Sequence, residues 1–123
     1  MNRGDRGQAT LELALCLPLV ALILAAVVES GLVVSDQVRL WHSAREAARV
    51  AAVDPNPEAI EDAAEASGLK PLDIQTSPQA AERRQGGAVT VALEYEPRGR
   101  VPLIGRLISV PLTASSTMRI EVP

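Results

Sequence analysis

Phenylalanine is absent from the 123-residue chain, and Trp41 and Tyr95 are the whole of its 2% aromatic content, so a core built on ring packing is excluded. Cysteine is nearly as scarce. Cys16 alone cannot close an internal disulfide, so cysteine usage leaves the redox compartment open. Cys16 and His42 are also too few for zinc, since a structural site takes four Cys or His ligands and a catalytic one two or three. No metal site and no cofactor site is expected. A formal net charge of −3 lacks the basic footprint of a nucleic-acid binder, and the length allows one small domain at most.

What the chain has in abundance is aliphatic, and it is unevenly placed. Residues 13–28 read LALCLPLVALILAAVV, without a charged or hydrogen-bonding side chain. As a helix this run spans roughly 24 Å, and extension to Val34 gives about 33 Å against a hydrocarbon thickness of ~30 Å, at the cost of including Glu29 and Ser30. A membrane-spanning helix over about 13–34 is expected. Pro18 would break a soluble helix but is tolerated as a kink in a membrane helix where neighbours take up the freed carbonyl. A core helix, apolar all round, is the first alternative, and too little other chain exists to cover it. A secretory signal peptide is the second: Arg3 and Arg6 would form its basic region, but the run is long and no clean small-x-small cleavage site follows. A lipid anchor on Cys16 fails because the apolar stretch lies mostly after that residue.

Ahead of the run, Arg3-Gly4-Asp5-Arg6-Gly7 is short and polar, and Gln8-Ala9-Thr10-Leu11-Glu12 carries a carboxylate to the membrane edge. Such a charge is costly beside hydrocarbon unless it is paired or reaches the headgroups, and near a helix start it also suits the macrodipole. With Gly7 five positions before Glu12, the chain resembles the type IV pilin superfamily. That resemblance implies a leader of residues 1–7, cut between Gly7 and Gln8 by a membrane-embedded prepilin peptidase, and a Glu12 that pairs with the new N-terminal amine of a neighbouring subunit. Pro18, Glu29 and the segment Ala44-Arg45-Glu46-Ala47-Ala48-Arg49 narrow the resemblance to the TadE-like proteins, pseudopilins or minor pilins of tight-adherence (Flp) pilus systems. Leu13 and Ser30 stand where an aromatic often follows in that family. The resemblance implies other pilins and a pilus assembly platform as partners. It also implies an inner-membrane location with the N-terminus inside and the C-terminal head outside. Glu29 has two readings, a contact to a partner pilin or the end of the lipid-facing segment, since it lies roughly 25 Å beyond Glu12.

After the run, Val34, Val38, Trp41, Ala44, Ala48 and Ala52 recur at steps of three and four, so the helix is expected to continue from Gln8 to Val53, roughly 69 Å. Val34, Val38, Trp41 and Ala48 are expected to pack it against the head. His42 reads as an exposed residue, and Arg45, Glu46 and Arg49 read as a solvated face. Asp54-Pro55-Asn56-Pro57 ends the helix, because the residue before a proline is pushed out of the α region.

Residues 54–123 form the expected extracytoplasmic head. Glu58, Glu61, Asp62 and Glu65 among alanines after Pro57 predict a short acidic helix ending at Gly68, without the ligand framework of a calcium loop. The period then changes to two. Val89, Val91, Leu93 and Tyr95 form one face of a strand, and Val110, Leu112, Ala114, Met118, Ile120 and Val122 one face of another, with residues 72–77 as a third, edge strand. Residues 97–107, rich in proline and glycine, are too long for a tight hairpin and have room for one helical turn. The expected fold is α+β: a long N-terminal helix, half in membrane, with a two- or three-stranded antiparallel sheet on its outer half. No nucleophile or phosphate-binding motif is present, so a structural or assembly role is expected rather than catalysis. A membrane-anchored extracytoplasmic binding module and a secreted soluble domain are the alternatives.

Overall fold

The computed structural model describes residues 3–121, with side chains described from Gly7 onward. Residues 1–2 of the expected leader, the side chains of Arg3 and Arg6, and Val122 of the expected last strand lie outside the described residues.

Helix α1 is one continuous element, Arg3–Val53, and runs unbroken through Pro18. Its end falls where the prolines dictate. Asp54 still donates its N–H to the Val50 carbonyl at 2.8 Å, and Pro55 then prevents the next helical turn. Asn56 takes an extended conformation and caps α2, Pro57–Glu65, its side chain accepting the Glu58 N–H at 3.1 Å with Pro57 at the first helical position. Gly68 closes this segment at φ +82°, a left-handed conformation that suits glycine.

Three strands follow: β1, Asp73–Ser77; β2, Ala88–Tyr95; and β3, Leu112–Arg119. They form an antiparallel sheet in the order β1-β2-β3, with Ile74 opposite Leu93 and Leu93 opposite Ala114. The period-two pattern appears as burial. Val89, Val91 and Leu93 of β2 and Leu112 and Ala114 of β3 are buried, while Val110, expected on the same face, precedes the strand and is exposed. A single helical turn, α3 at Gly105–Ile108, interrupts the β2–β3 connection.

By compactness the chain divides into two units: the helix up to Leu32 with Arg98–Ile108, and Val33–Pro97 with the residues from Ser109 on. The second half of α1 belongs with the sheet, and residues 98–108 belong with the first half of α1.

The core of the second unit joins Leu40, Ala44, Ala47, Ala48, Ala51 and Ala52 of α1 to Ile60 and Ala64 of α2, Leu69, the inward face of the sheet and Ile120. Three residues expected to pack the helix there do not. Val34, Val38 and Trp41 are exposed, Trp41 by 59%, while Ala44, Ala48 and Ala52 of the expected stripe are buried and are joined there by Val33, Leu40, Ala47 and Ala51. The physical reason is volume. A row of alanines lets the helix backbone approach a sheet face already filled by valine and leucine, and an indole in that row would hold the two apart. Ala48 is fully buried, and the core contains no aromatic side chain among its fully buried members.

The C-terminus of α1 is closed from a distance. Its last turn contains no basic residue, and the orphan carbonyls of Ala51 and Ala52 accept from the Arg83 guanidinium at 3.0 Å and from the Glu121 N–H at 2.8 Å. Arg83 is itself buried and also reaches the Pro78 carbonyl at 3.4 Å.

Candidate functional site

The early part of α1 is left exposed by the rest of the described chain. From Leu11 to Leu24 every residue is exposed, and Leu11, Leu13, Leu15, Leu17, Leu19, Val20, Leu22, Ile23 and Leu24 are its large apolar members. Because these residues point to all sides of the helix, no single docking face would cover them. A solvent-like apolar surround would. The span Gly7–Val53 contains the one helix among the described residues that is long and apolar enough to cross a membrane, with a mean hydropathy of 2.7 in its most apolar stretch, none of which is buried.

Polar groups bracket this surface. At the start, Gly7 has open space around it, and Gln8 donates its side-chain N–H to the Glu12 carboxylate at 3.3 Å, one turn on. The peptide between Gly7 and Gln8 lies within α1, so a protease could reach it only after the first turns of the helix open. Glu12 is exposed. Pro18 removes one N–H from the helix ladder and leaves the Ala14 carbonyl without its intrahelical donor.

Glu29, at the far end, is turned into its own chain. It is 2% exposed, and its carboxylate accepts the Arg100 N–H at 3.1 and 3.2 Å and the Val101 N–H at 2.8 Å. Both carboxylate oxygens are used inside the chain. Backbone N–H groups aimed at an acceptor carboxylate compensate for the water it has lost, which is why a charged side chain is tolerated here.

The loop that supplies those N–H groups is shaped by two glycines. Gly99 and Gly105 cross so closely that a Cβ built on Gly99 would lie 2.1 Å from the Gly105 carbonyl carbon, and one on Gly105 would lie 2.6 Å from the Gly99 Cα. Neither position can carry a side chain in this conformation. The Gly105 N–H closes the loop onto the Val101 carbonyl at 2.8 Å, and Leu103 sits between them at φ +68°.

Further along α1, Arg49 binds Glu46 through two nitrogens, at 3.1 and 2.6 Å, on an exposed face. The hydrogen bonds from Arg49 hold the Glu46 carboxyl below its ordinary value against the opposing effect of desolvation, with the Arg49 charge adding to the lowering; the Arg49 pKa is raised by the same contact. Lys70 pairs with Glu65, and that hydrogen bond, with the nearby charge, raises its pKa. No group of three or more His, Cys, Asp or Glu that could hold a metal occurs among the described residues.

Residues 7–49 match the family model described as TadE-like protein. This part of the chain is similar to the TadE-like proteins. No curated protein and no solved structure matches the chain. The TadE-like segment covers the exposed apolar surface, Glu12, Pro18 and Glu29, and ends at Arg49, one turn before the end of α1. It points to a protein associated with the Tad pilus system.

Sequence reasoning missed Arg83, Gly99 and Gly105. The glycines had a visible signal, two of them bracketing an arginine- and aliphatic-rich segment. Arg83 had none, because its partner lies 32 residues away.

Proposed function

We propose that this protein is a structural and assembly subunit, a pseudopilin or minor pilin of a Tad/Flp-type pilus, and not an enzyme. The observation that carries this reading is the coincidence of the TadE-like match with a helix whose apolar side chains are exposed on all sides. Lipid covers such a surface before assembly, and the helices of other pilins cover it afterwards, by van der Waals packing that needs no further hydrophobic driving force. In this reading the chain sits in the inner membrane with its N-terminus in the cytoplasm and the residues after α1 outside. Prepilin peptidase cuts between Gly7 and Gln8, and Glu12 then pairs with the freed amine of a neighbour, which removes a lone charge from the apolar bundle.

The test is N-terminal and intact-mass analysis of the protein extracted from the membranes of its own host. A mature chain beginning at Gln8 supports the pilin route. An uncut chain would favour an unprocessed assembly factor or a simple tether, and a start near Val27 would refute membrane residence by removing the apolar run.

A further inference from the structure

The two most exposed large hydrophobic residues outside α1 are Leu103, 79% exposed, and Leu107, 81% exposed, and both lie in the loop that Glu29 holds. Leu103 is more than unprotected. Its φ of +68° is a left-handed conformation that is strained for a leucine and that glycine or asparagine would adopt more easily. A strained, solvent-facing leucine has no use in the packing of this chain, so its use lies outside it.

The composition of the loop says what that outside is. Residues 98–108 read RGRVPLIGRLI, with arginine at 98, 100 and 106 and no acidic residue. Arg98 and Arg106 are exposed. The position of the loop is fixed by its anchor, because Glu29 closes the uncharged run that begins at Leu13. Shielding of that run begins one turn earlier, at the half-buried Ala25 and Ala26, whereas the residues from Leu11 to Leu24 are exposed. Exposed aliphatic side chains beside arginines, bound to a helix where its lipid-compatible stretch ends, match the chemistry of a phospholipid headgroup layer.

We propose that the Arg98–Ile108 loop is an interfacial membrane anchor, with Leu103 and Leu107 in the acyl region just below the headgroups and the Arg98 and Arg106 guanidinium groups on lipid phosphates. This rests on the reading of α1 as a membrane helix. Glu29 fixes the loop at the depth where it meets the lipid, and the Gly99–Gly105 crossing fixes its shape. The anchor determines how far α1 sits in the outer leaflet, because apolar side chains inserted about 5–10 Å into the interface resist movement in either direction.

The experiment uses the full chain in vesicles of equal parts phosphatidylglycerol and phosphatidylcholine, with an environment-sensitive fluorophore on one cysteine at a time. The label sits on the native Cys16, on Leu107→Cys or Leu103→Cys in a Cys16→Ala background, or on Glu58→Cys in that background as a solvated control. Lipids carrying a nitroxide near the headgroup, and iodide in the water, are the two quenchers. The expected result is lipid quenching with iodide protection at positions 103 and 107, iodide quenching at 58, and loss of lipid quenching at 107 when Arg98→Gln and Arg106→Gln are combined. Iodide quenching at 103 and 107 with lipid quenching retained at Cys16 would overturn the anchor and leave the membrane helix standing. Absence of lipid quenching at Cys16 as well would overturn both. Protection from both quenchers that disappears when the protein is diluted in lipid would assign the loop to a neighbouring copy, which also overturns the proposal.

Discussion

Glu29 and Arg83 are buried ionisable side chains whose polar atoms bind backbone groups: N–H donors of a loop for Glu29, orphan carbonyls of a helix end for Arg83. In each case one side chain joins segments far apart in sequence. For Arg83 the consequence is a stability prediction. Arg83→Met keeps the apolar stem and leaves the Ala51 carbonyl without this donor, so it should destabilise the full chain by about 1–3 kcal/mol, whereas Arg84→Met, at an exposed neighbour, should change little. Denaturant midpoints of the detergent-solubilised proteins check this, and equal losses would refute the cap. Glu46 gives a prediction in pH. Its carboxyl is held low by Arg49, so the pair contributes above the ordinary carboxylate pKa and its contribution is lost as pH falls through the lowered folded-state value. The effect is small because both side chains are solvated. Unfolding of the native chain and of Arg49→Gln, followed against pH, should differ at neutral pH and converge in acid; a difference that persists in acid would mean that Arg49 acts by packing instead.

At the scale of elements, local signals and long-range ones separate cleanly. The end of α1 at Val53, the start of α2 at Pro57 and the alternation of β2 were legible because each depends on residues within a turn or a strand: a proline pair, a cap, a period of two. The inward face of α1 was read in place at Ala44, Ala48 and Ala52 and out of place before them, at Val34, Val38 and Trp41. Steps of three and four through Trp41 and through Leu40 are equally periodic, and only the sheet opposite, which admits alanine and excludes an indole, decides between them. The Glu29 contact was not legible at all, since its donors lie 71 and 72 residues further on and no local pattern encodes them. That contact depends on the shape of the loop. Gly99→Ala places a methyl group inside the Gly105 backbone and should force the crossing open. Amide hydrogen exchange at Arg100 and Val101 should then lose its protection, as it should in Glu29→Leu, with the protection of β2 unchanged. Retained protection in Gly99→Ala would show that the loop is held by its contact to α1 alone.

At the scale of the whole molecule, α1 contributes to both units. One half presents alanines to a sheet, and the other presents leucines to whatever surrounds the chain. The scarcity of aromatics fits both halves, because the sheet face needs small neighbours and the apolar run needs no core of its own. The proposed assembly contact uses the run and not the acidic α2. Glu12 lies at the entrance of the run, exposed and weakly bonded to Gln8, and is thus available to a second chain. In Glu12→Ala, recovery of other pilins with the affinity-purified protein from host membranes should fall by about tenfold or more, in line with losing a charge pair shielded from water. Glu58→Ala removes an exposed acidic side chain from α2 and should leave recovery unchanged. Glu12→Gln divides the possible causes further. If the amine of a neighbour is the partner, glutamine should be nearly as damaging as alanine, because it keeps the shape and loses the charge. Full recovery with Glu12→Gln would reduce the role of Glu12 to a hydrogen bond, and equal recovery in Glu12→Ala and Glu58→Ala would remove Glu12 from the interface.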